Sequence, residues 1–156
     1  MTLIIRPATE ADRDQLRGPA LRSWLDAYVG LLPQADIDDA PAMLERAFDR
    51  RITELRLAIL DGTIAGFYSL GKADDPEKAG YLWHLYVDPL CQRRGVGGAL
   101  NAAALAEIAA RGEKRAWLDV VEGNTKAIAF YVAMGWRDFG REQSDGLDFV
   151  LMEKYL

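Results

Sequence analysis

Between Tyr81 and Leu100 the chain reads YLWHLYVDPLCQRRGVGGAL, and Gln92, Arg93, Arg94, Gly95, Gly97 and Gly98 within it are spaced to hold an anion. Glycines at the first turn of a helix leave the backbone bare, so a bulky ligand can come up against it. The first N–H groups of that helix have no intrahelical partner and carry the positive end of its dipole. Arg93 and Arg94 add two full charges beside them. A phosphate or pyrophosphate is the guest this combination suits.

Two familiar phosphate loops do not fit. A dinucleotide fingerprint needs a third glycine where Leu100 stands, and a Walker loop needs Lys-Ser or Lys-Thr after its second glycine. What stands here is Gln92-x-x-Gly95-x-Gly97, after a strand-like run that ends at Asp88-Pro89 and before an alanine-rich helix. LYVDPLCQRRGVGGAL resembles, along its whole length, the strand-loop-helix that binds acyl-coenzyme A in the GNAT N-acetyltransferase superfamily. The resemblance implies acetyl-CoA as cofactor. It also implies contacts from Leu85, Tyr86 and Val87 on the strand, and from Gln92, Arg93, Arg94, Gly95, Val96, Gly97 and Gly98 in the loop and first helical turn.

The implied reaction is attack of an amine on a thioester carbonyl by direct transfer in a ternary complex, through a tetrahedral oxyanion, with loss of a thiolate. The amine must be neutral, and a lysine-like amine is uncharged in only about one molecule in 2,500 at pH 7, whereas an α-amino group needs far less help. In the family the oxyanion meets a backbone N–H on the central strand, here near Val87. Asn124-x-x-Ala127-x-x-Phe130-Tyr131-x-x-x-Gly135 resembles the family segment whose asparagine touches the pantetheine and whose tyrosine approaches the coenzyme sulfur. Tyr131 is therefore the expected catalytic acid and Asn124 a cofactor contact. The competing reading of Tyr131 is a core aromatic beside Ala127 and Met134.

The general base stays open between a side chain and a water. His84 has the right ordinary pKa and stands on the central strand. Strand alternation, however, turns it away from Trp83 and Leu85, and the acceptor-facing places of the family fall on Tyr81 and Trp83, neither of which is a base. Trp24 and Tyr28 are further acceptor-side candidates, although a packed helix face explains them equally well. Asp119 and Glu122 read as strand-end charges that could assist. The acceptor is expected to be an amine of a small molecule or a peptide.

Composition agrees with one soluble catalytic domain over residues 1–156: half the residues are hydrophobic and 28% are charged. A net charge of -5 argues against nucleic acid and anionic membrane as partners. One cysteine and one histidine exclude a disulfide framework and a His/Cys zinc site, so no metal is expected. The start, MTLIIRPATEAD, has no signal-peptide pattern, and no run of eighteen apolar residues follows, so a cytoplasmic location is the default expectation; the expected state is a monomer or homodimer.

The elements that must position these residues follow in order. Leu3 to Arg6 is a short strand stopped by Pro7, and Thr9 with Asp12 opens a first helix that Gly18-Pro19 should interrupt and restart. Leu21, Trp24, Leu25 and Tyr28 make its apolar face, and Met43, Leu44, Ala47 and Phe48 that of a second helix. Arg56–Leu60 and Thr63–Leu70 flank Asp61-Gly62 as a hairpin. After a polar loop at 71–80 come the strand to Val87 and a helix with Val96, Leu100, Ala104 and Ile108 on one face. A strand from Ala116 to Val121, a helix capped by Asn124, and two strands at 136–139 and 147–154 close the chain. This is a mixed α/β layer, which agrees with the GNAT fold: a central mixed sheet flanked by helices. The resemblance adds that the strands at 81–87 and 116–121 run parallel and splay for the pantetheine arm.

Two rival functions have discriminating features. A nucleotide-dependent oxidoreductase lacks its third glycine, and a non-catalytic acyl-CoA sensor leaves Asn124 and Tyr131 without a task.

Overall fold

The computed structural model describes residues 1–156. In chain order the elements are β1 (Leu3–Pro7), α1 (Arg13–Tyr28), α2 (Gln34–Arg51), β2 (Arg56–Leu60), β3 (Thr63–Leu70), β4 (Leu82–Val87), α3 (Val96–Ala110), β5 (Arg115–Val121), α4 (Thr125–Ala133), β6 (Arg137–Ser144) and β7 (Leu147–Tyr155). The strands form two sheets, ordered β1-β2-β3-β4 and β5-β7-β6. The chain divides into two compact units, Met1–Ser69 with His84–Leu100, and Leu70–Trp83 with Asn101–Leu156.

In the first unit, β1 pairs antiparallel with β2 from Leu3↔Leu60 to Pro7↔Arg56, so Pro7 ends the strand from within it. The β2–β3 turn puts Asp61 at φ 50 and Gly62 at φ 84, the paired left-handed residues that a tight hairpin needs. Between Ala58↔Gly66 and Ile59↔Ile64 the register slips, which leaves Ala65 as the extra residue of a bulge. Gly66 is required there: a Cβ would lie 2.5 Å from the carbonyl oxygen of Tyr86 on β4. Leu16, Ala20, Leu44, Phe48, Leu57 and Phe67 belong to one buried cluster under α1 and α2. Removing a large member such as Leu57 or Phe48 would cost about 3–5 kcal/mol.

Contrary to the interruption expected at Gly18-Pro19, α1 runs unbroken through Pro19. Proline forfeits one i→i−4 hydrogen bond, and the packing of buried Leu16, Pro19, Ala20 and Ser23 holds the turn without it. Those residues, at helical spacing, are the fully buried face. The larger Leu21, Trp24, Leu25 and Tyr28 are only half-buried. A reading weighted by large apolar residues overlooks a buried face made mostly of small ones. The start of α1 is tied down by Asp12, whose carboxylate accepts the Thr9 N–H at 2.8 Å and both Arg6 terminal nitrogens at 2.8 and 2.9 Å. Those Arg6 hydrogen bonds, outweighing burial, hold Asp12 down to about 2.

In the second unit, β7 pairs antiparallel with both β5 and β6. The β6–β7 hairpin turns at Asp145 (φ 52) and Gly146 (φ 76), and β6 extends to Ser144, beyond the short strand ending at Phe139 that the sequence suggests. A parallel bridge joins Tyr81 to Trp117, and the Trp117 N–H donates to the Gly80 carbonyl at 2.9 Å. Gly80 permits this approach, since a Cβ would sit 2.5 Å from the Arg115 carbonyl oxygen. Ile108, Leu118, Val150 and Met152 are buried in this unit. Glu153, buried beside them, is bridged by Arg115 at 2.6 Å and Arg137 at 2.7 Å, which keeps its carboxyl below the usual range.

Candidate active site

The loop that leaves β4 is held from two sides before its glycines begin. The Asp88 N–H donates to the carbonyl of the bulged Ala65 at 2.8 Å. The Asp88 side chain is buried and accepts Arg22 Nε at 3.0 Å, Arg22 Nη2 at 2.7 Å and the Leu90 N–H at 3.1 Å. Burial alone would raise this carboxyl, but the Arg22 hydrogen bonds, the Leu90 N–H and the Arg22 charge outweigh it and hold the group ionised below its ordinary range. Arg22 comes from α1, so a single bidentate pair fixes α1 to the loop.

Beyond this clamp, Arg93 (φ 64) and Gly95 (φ 79) are both left-handed and bracket Arg94. The Gly95 carbonyl accepts the Ala99 N–H at 3.1 Å, which makes Gly95 the cap of α3 and leaves the N–H groups of Val96, Gly97 and Gly98 as the first turn's orphan donors. Gly95 is demanded by its φ. Gly98 is not: its φ is ordinary, and a Cβ would meet no atom within 4 Å. Internal packing does not call for glycine at 98, whereas close approach of a large anion does. Arg93 and Arg94 are exposed beside this turn, while the Val96 side chain is buried at 1% exposure and can serve a ligand only through its backbone. Gln92 donates a long 3.4 Å contact to Asp26 of α1. Residues and geometry therefore fit the diphosphate of a coenzyme A.

The same unit contains a cavity of about 100 Å³ lined by Trp24, Met43, Phe48, Phe67, His84 and Tyr86, among others. Trp24 comes from α1, Met43 and Phe48 from α2, Phe67 from β3, and His84 and Tyr86 from alternate positions of β4. Ser69 Oγ lies 2.7 Å from His84 Nδ1, and the Tyr28 and Tyr86 hydroxyls pair at 3.1 Å. Burial, with the Arg51 charge acting in the same direction, lowers the imidazole to about 4, so His84 is neutral at pH 7. Trp24 thus lines the cavity and Tyr28 stands behind its wall. Tyr81 and Trp83, the positions expected to face the acceptor, are not among the lining residues; the alternate strand phase, His84 and Tyr86, supplies the wall. Leu85 and Val87 are half-buried on β4.

The second unit contains the remaining sequence candidates. Tyr131 is buried at 8% exposure, with its ring edge-on to Phe130 at 5.2 Å and Trp136 at 5.7 Å. Asn124 caps α4 by accepting the Ala127 N–H at 3.2 Å through Oδ1, so its amide NH₂ is the end that could reach a ligand. Tyr81 stacks on Trp117 at 4.4 Å and donates to Asp119 at 2.6 Å, which engages Asp119 in the protein. Glu122 is exposed and faces Arg141 at 3.6 Å.

Sequence reasoning missed Arg22, Ser69 and the role of Asp88. Asp88-Pro89 signals the end of a strand, but nothing local to residue 22 announces a partner 66 residues away.

The model of the GNAT acetyltransferase family matches residues 18–136. The chain is 40% identical over 110 residues to a mycothiol acetyltransferase of Clavibacter sepedonicus, covering 70% of this chain and 34% of that protein. It therefore spans about a third of the length of that longer relative. It is 33% identical over 132 residues to an uncharacterised N-acetyltransferase of Mycobacterium bovis, covering 81% of this chain and 83% of that one. Its structure resembles the PaiA N-acetyltransferase of Thermoplasma acidophilum in complex with coenzyme A, with a TM-score of 0.75, 25% identity and full coverage of both chains.

Proposed function

The chain belongs to the GNAT acetyltransferase family, whose acyl donor is acetyl-CoA, and from that premise we propose that it acetylates a primary amine of a small molecule or peptide by direct attack in a ternary complex. The observation that carries this reading is the loop at 92–98. It has a helix N-terminus with a glycine at 98 that neither backbone nor packing requires, two exposed arginines, and a clamp from Asp88 to Arg22.

The donor supplies a thioester: the amine's C–N bond forms as the C–S bond breaks, and the proton lost by nitrogen balances the one gained by sulfur. The protein's part is binding, polarisation and proton transfer. Arg93, Arg94, Gln92 and the N–H groups of Val96 to Gly98 bind phosphate oxygens, and the amide of Asn124 takes a carbonyl of the pantetheine. A backbone N–H near Val87 stabilises the oxyanion. Tyr131 gives its phenolic proton to the sulfur and recovers one from solvent. Neutral His84 is a weak acceptor for the amine's proton, which fits an amine that binds largely uncharged.

Thiol release from acetyl-CoA, followed with a panel of amines, tests the reaction. Tyr131→Phe keeps the ring among Phe130 and Trp136 and deletes only the hydroxyl, so turnover should fall about 10²- to 10⁴-fold with little change in melting temperature. Wild-type turnover in that variant would remove Tyr131 from the chemistry and leave it a core aromatic.

A further inference from the structure

Resting on the acetyltransferase reading, we propose that the cavity bounded by Trp24, Met43, Phe48, Phe67, His84 and Tyr86 selects an acceptor whose amine is carried on one compact apolar group, aryl or branched alkyl, in preference to polyamines and aminoglycosides. Size is the first argument. At about 100 Å³ the cavity is of the order that takes one ring or one branched side chain, since a dry apolar cavity of about 150 Å³ accommodates benzene.

Charge is the second. The only ionised groups in the lining are Arg51 and Glu54, which cancel, and His84 is uncharged at neutral pH. A polycation needs several carboxylates to replace its hydration, and one exposed glutamate paired in sign with an arginine does not supply them.

The third argument is how the wall's polar atoms are used. Ser69 Oγ and His84 Nδ1 bond each other, and the Tyr86 hydroxyl bonds that of Tyr28, so these atoms are engaged within the protein and offer few partners to a polyhydroxyl ligand. An apolar guest leaves those bonds intact and buries its surface against Trp24, Met43, Leu44, Phe48 and Phe67.

The test is calorimetric titration of the protein–coenzyme A complex with 2-phenylethylamine, isopentylamine, spermidine and kanamycin, alongside thiol release with the same amines. The two apolar amines should bind about tenfold or more tightly than the others, and Ala47→Trp, which fills the cavity from α2, should erase that advantage about tenfold while the coenzyme A melting shift stays unchanged. Equal or better binding of spermidine or kanamycin, no binding of either apolar amine, or apolar binding unaltered in a folded Ala47→Trp protein overturns the proposal. Should Ala47→Trp not fold, Met43→Ala takes its place: widening the cavity should shift preference toward 2-(1-naphthyl)ethylamine, and an unchanged preference overturns the proposal equally. Failure of the underlying reading looks different, with no thiol release from any amine and no coenzyme A melting shift. Thiol release that favours spermidine defeats the acceptor class alone.

Discussion

Within one unit, the glycine loop at 92–98 and the cavity beside His84 are built from opposite materials. The loop uses backbone: left-handed Arg93 and Gly95, orphan N–H groups of α3, and a glycine that packing does not require. The cavity uses side chains from α1, α2, β3 and β4, with polar groups that satisfy one another. A backbone site of this kind recognises what all its ligands share, a diphosphate, and depends on a few local torsions. A side-chain site recognises what differs between ligands, and this one draws its lining from several separate elements of the chain. Within the first unit, then, the proposed donor site and the proposed acceptor site rest on different structural features and can be tested separately.

The largest expected effect tests the backbone half. Coenzyme A at a hundredfold excess over its dissociation constant should stabilise the wild-type protein by about 2.7 kcal/mol. Gly97→Val should abolish that gain by placing a branched side chain over the donor N–H groups, while the unliganded melting temperature moves little. A retained melting shift would show that the loop does not hold the coenzyme.

A middle-sized effect tests the clamp that both halves share through α1. Asp88→Asn keeps the shape and the Leu90 acceptor but removes the charge that faces Arg22. Because the Arg22 side chain is 45% exposed, the loss should be modest, about 1–2 kcal/mol by denaturant unfolding, accompanied by weaker coenzyme A binding. Unchanged stability together with unchanged coenzyme A affinity would mean the loop holds its shape without α1.

The smallest effect per pH unit belongs to the side-chain half. His84 is the only histidine, and its folded pKa of about 4 lies below the ordinary 6.5. Between those values the unfolded chain binds a proton that the folded chain does not. Stability from this group is complete above about pH 6.5 and is lost as pH falls toward 4, with a slope of at most about 1.4 kcal/mol per pH unit. Denaturant midpoints from pH 7 to 5 should show this slope in the wild type and lose it in His84→Gln. The ionised Asp12, Asp88 and Glu153 contribute their own losses at lower pH, below the ordinary carboxylate range. An equal slope in the variant would place the imidazole in solvent.

Legibility divided along the same line. The hairpin turn at Asp61-Gly62, the Asn124 cap and the glycine loop are all readable, because each is a local conformational demand met by a residue type that few others can replace. Alternation along β4 is readable too, with Tyr81 and Trp83 on one phase and His84 and Tyr86 on the other, but which phase lines the first unit's cavity is not: His84 and Tyr86 do. A period of two specifies that 84 and 86 share a face, and only packing against α2 decides what that face meets.

The sequence by itself determined the glycine loop at the start of α3, the order of strands and helices, and membership of an acetyl-CoA-dependent family, since torsional preference and hydrophobic spacing act over a few residues. Tertiary structure alone decided that α1 continues through Pro19, because the packing of Leu16 and Ala20 outweighs one missing hydrogen bond. It alone paired Arg22 with Asp88 and Ser69 with His84, and so made a neutral histidine the wall of an apolar cavity. Those contacts join residues 66 and 15 positions apart, and burial and Coulomb energy depend on distance in space, which spacing along the chain does not encode.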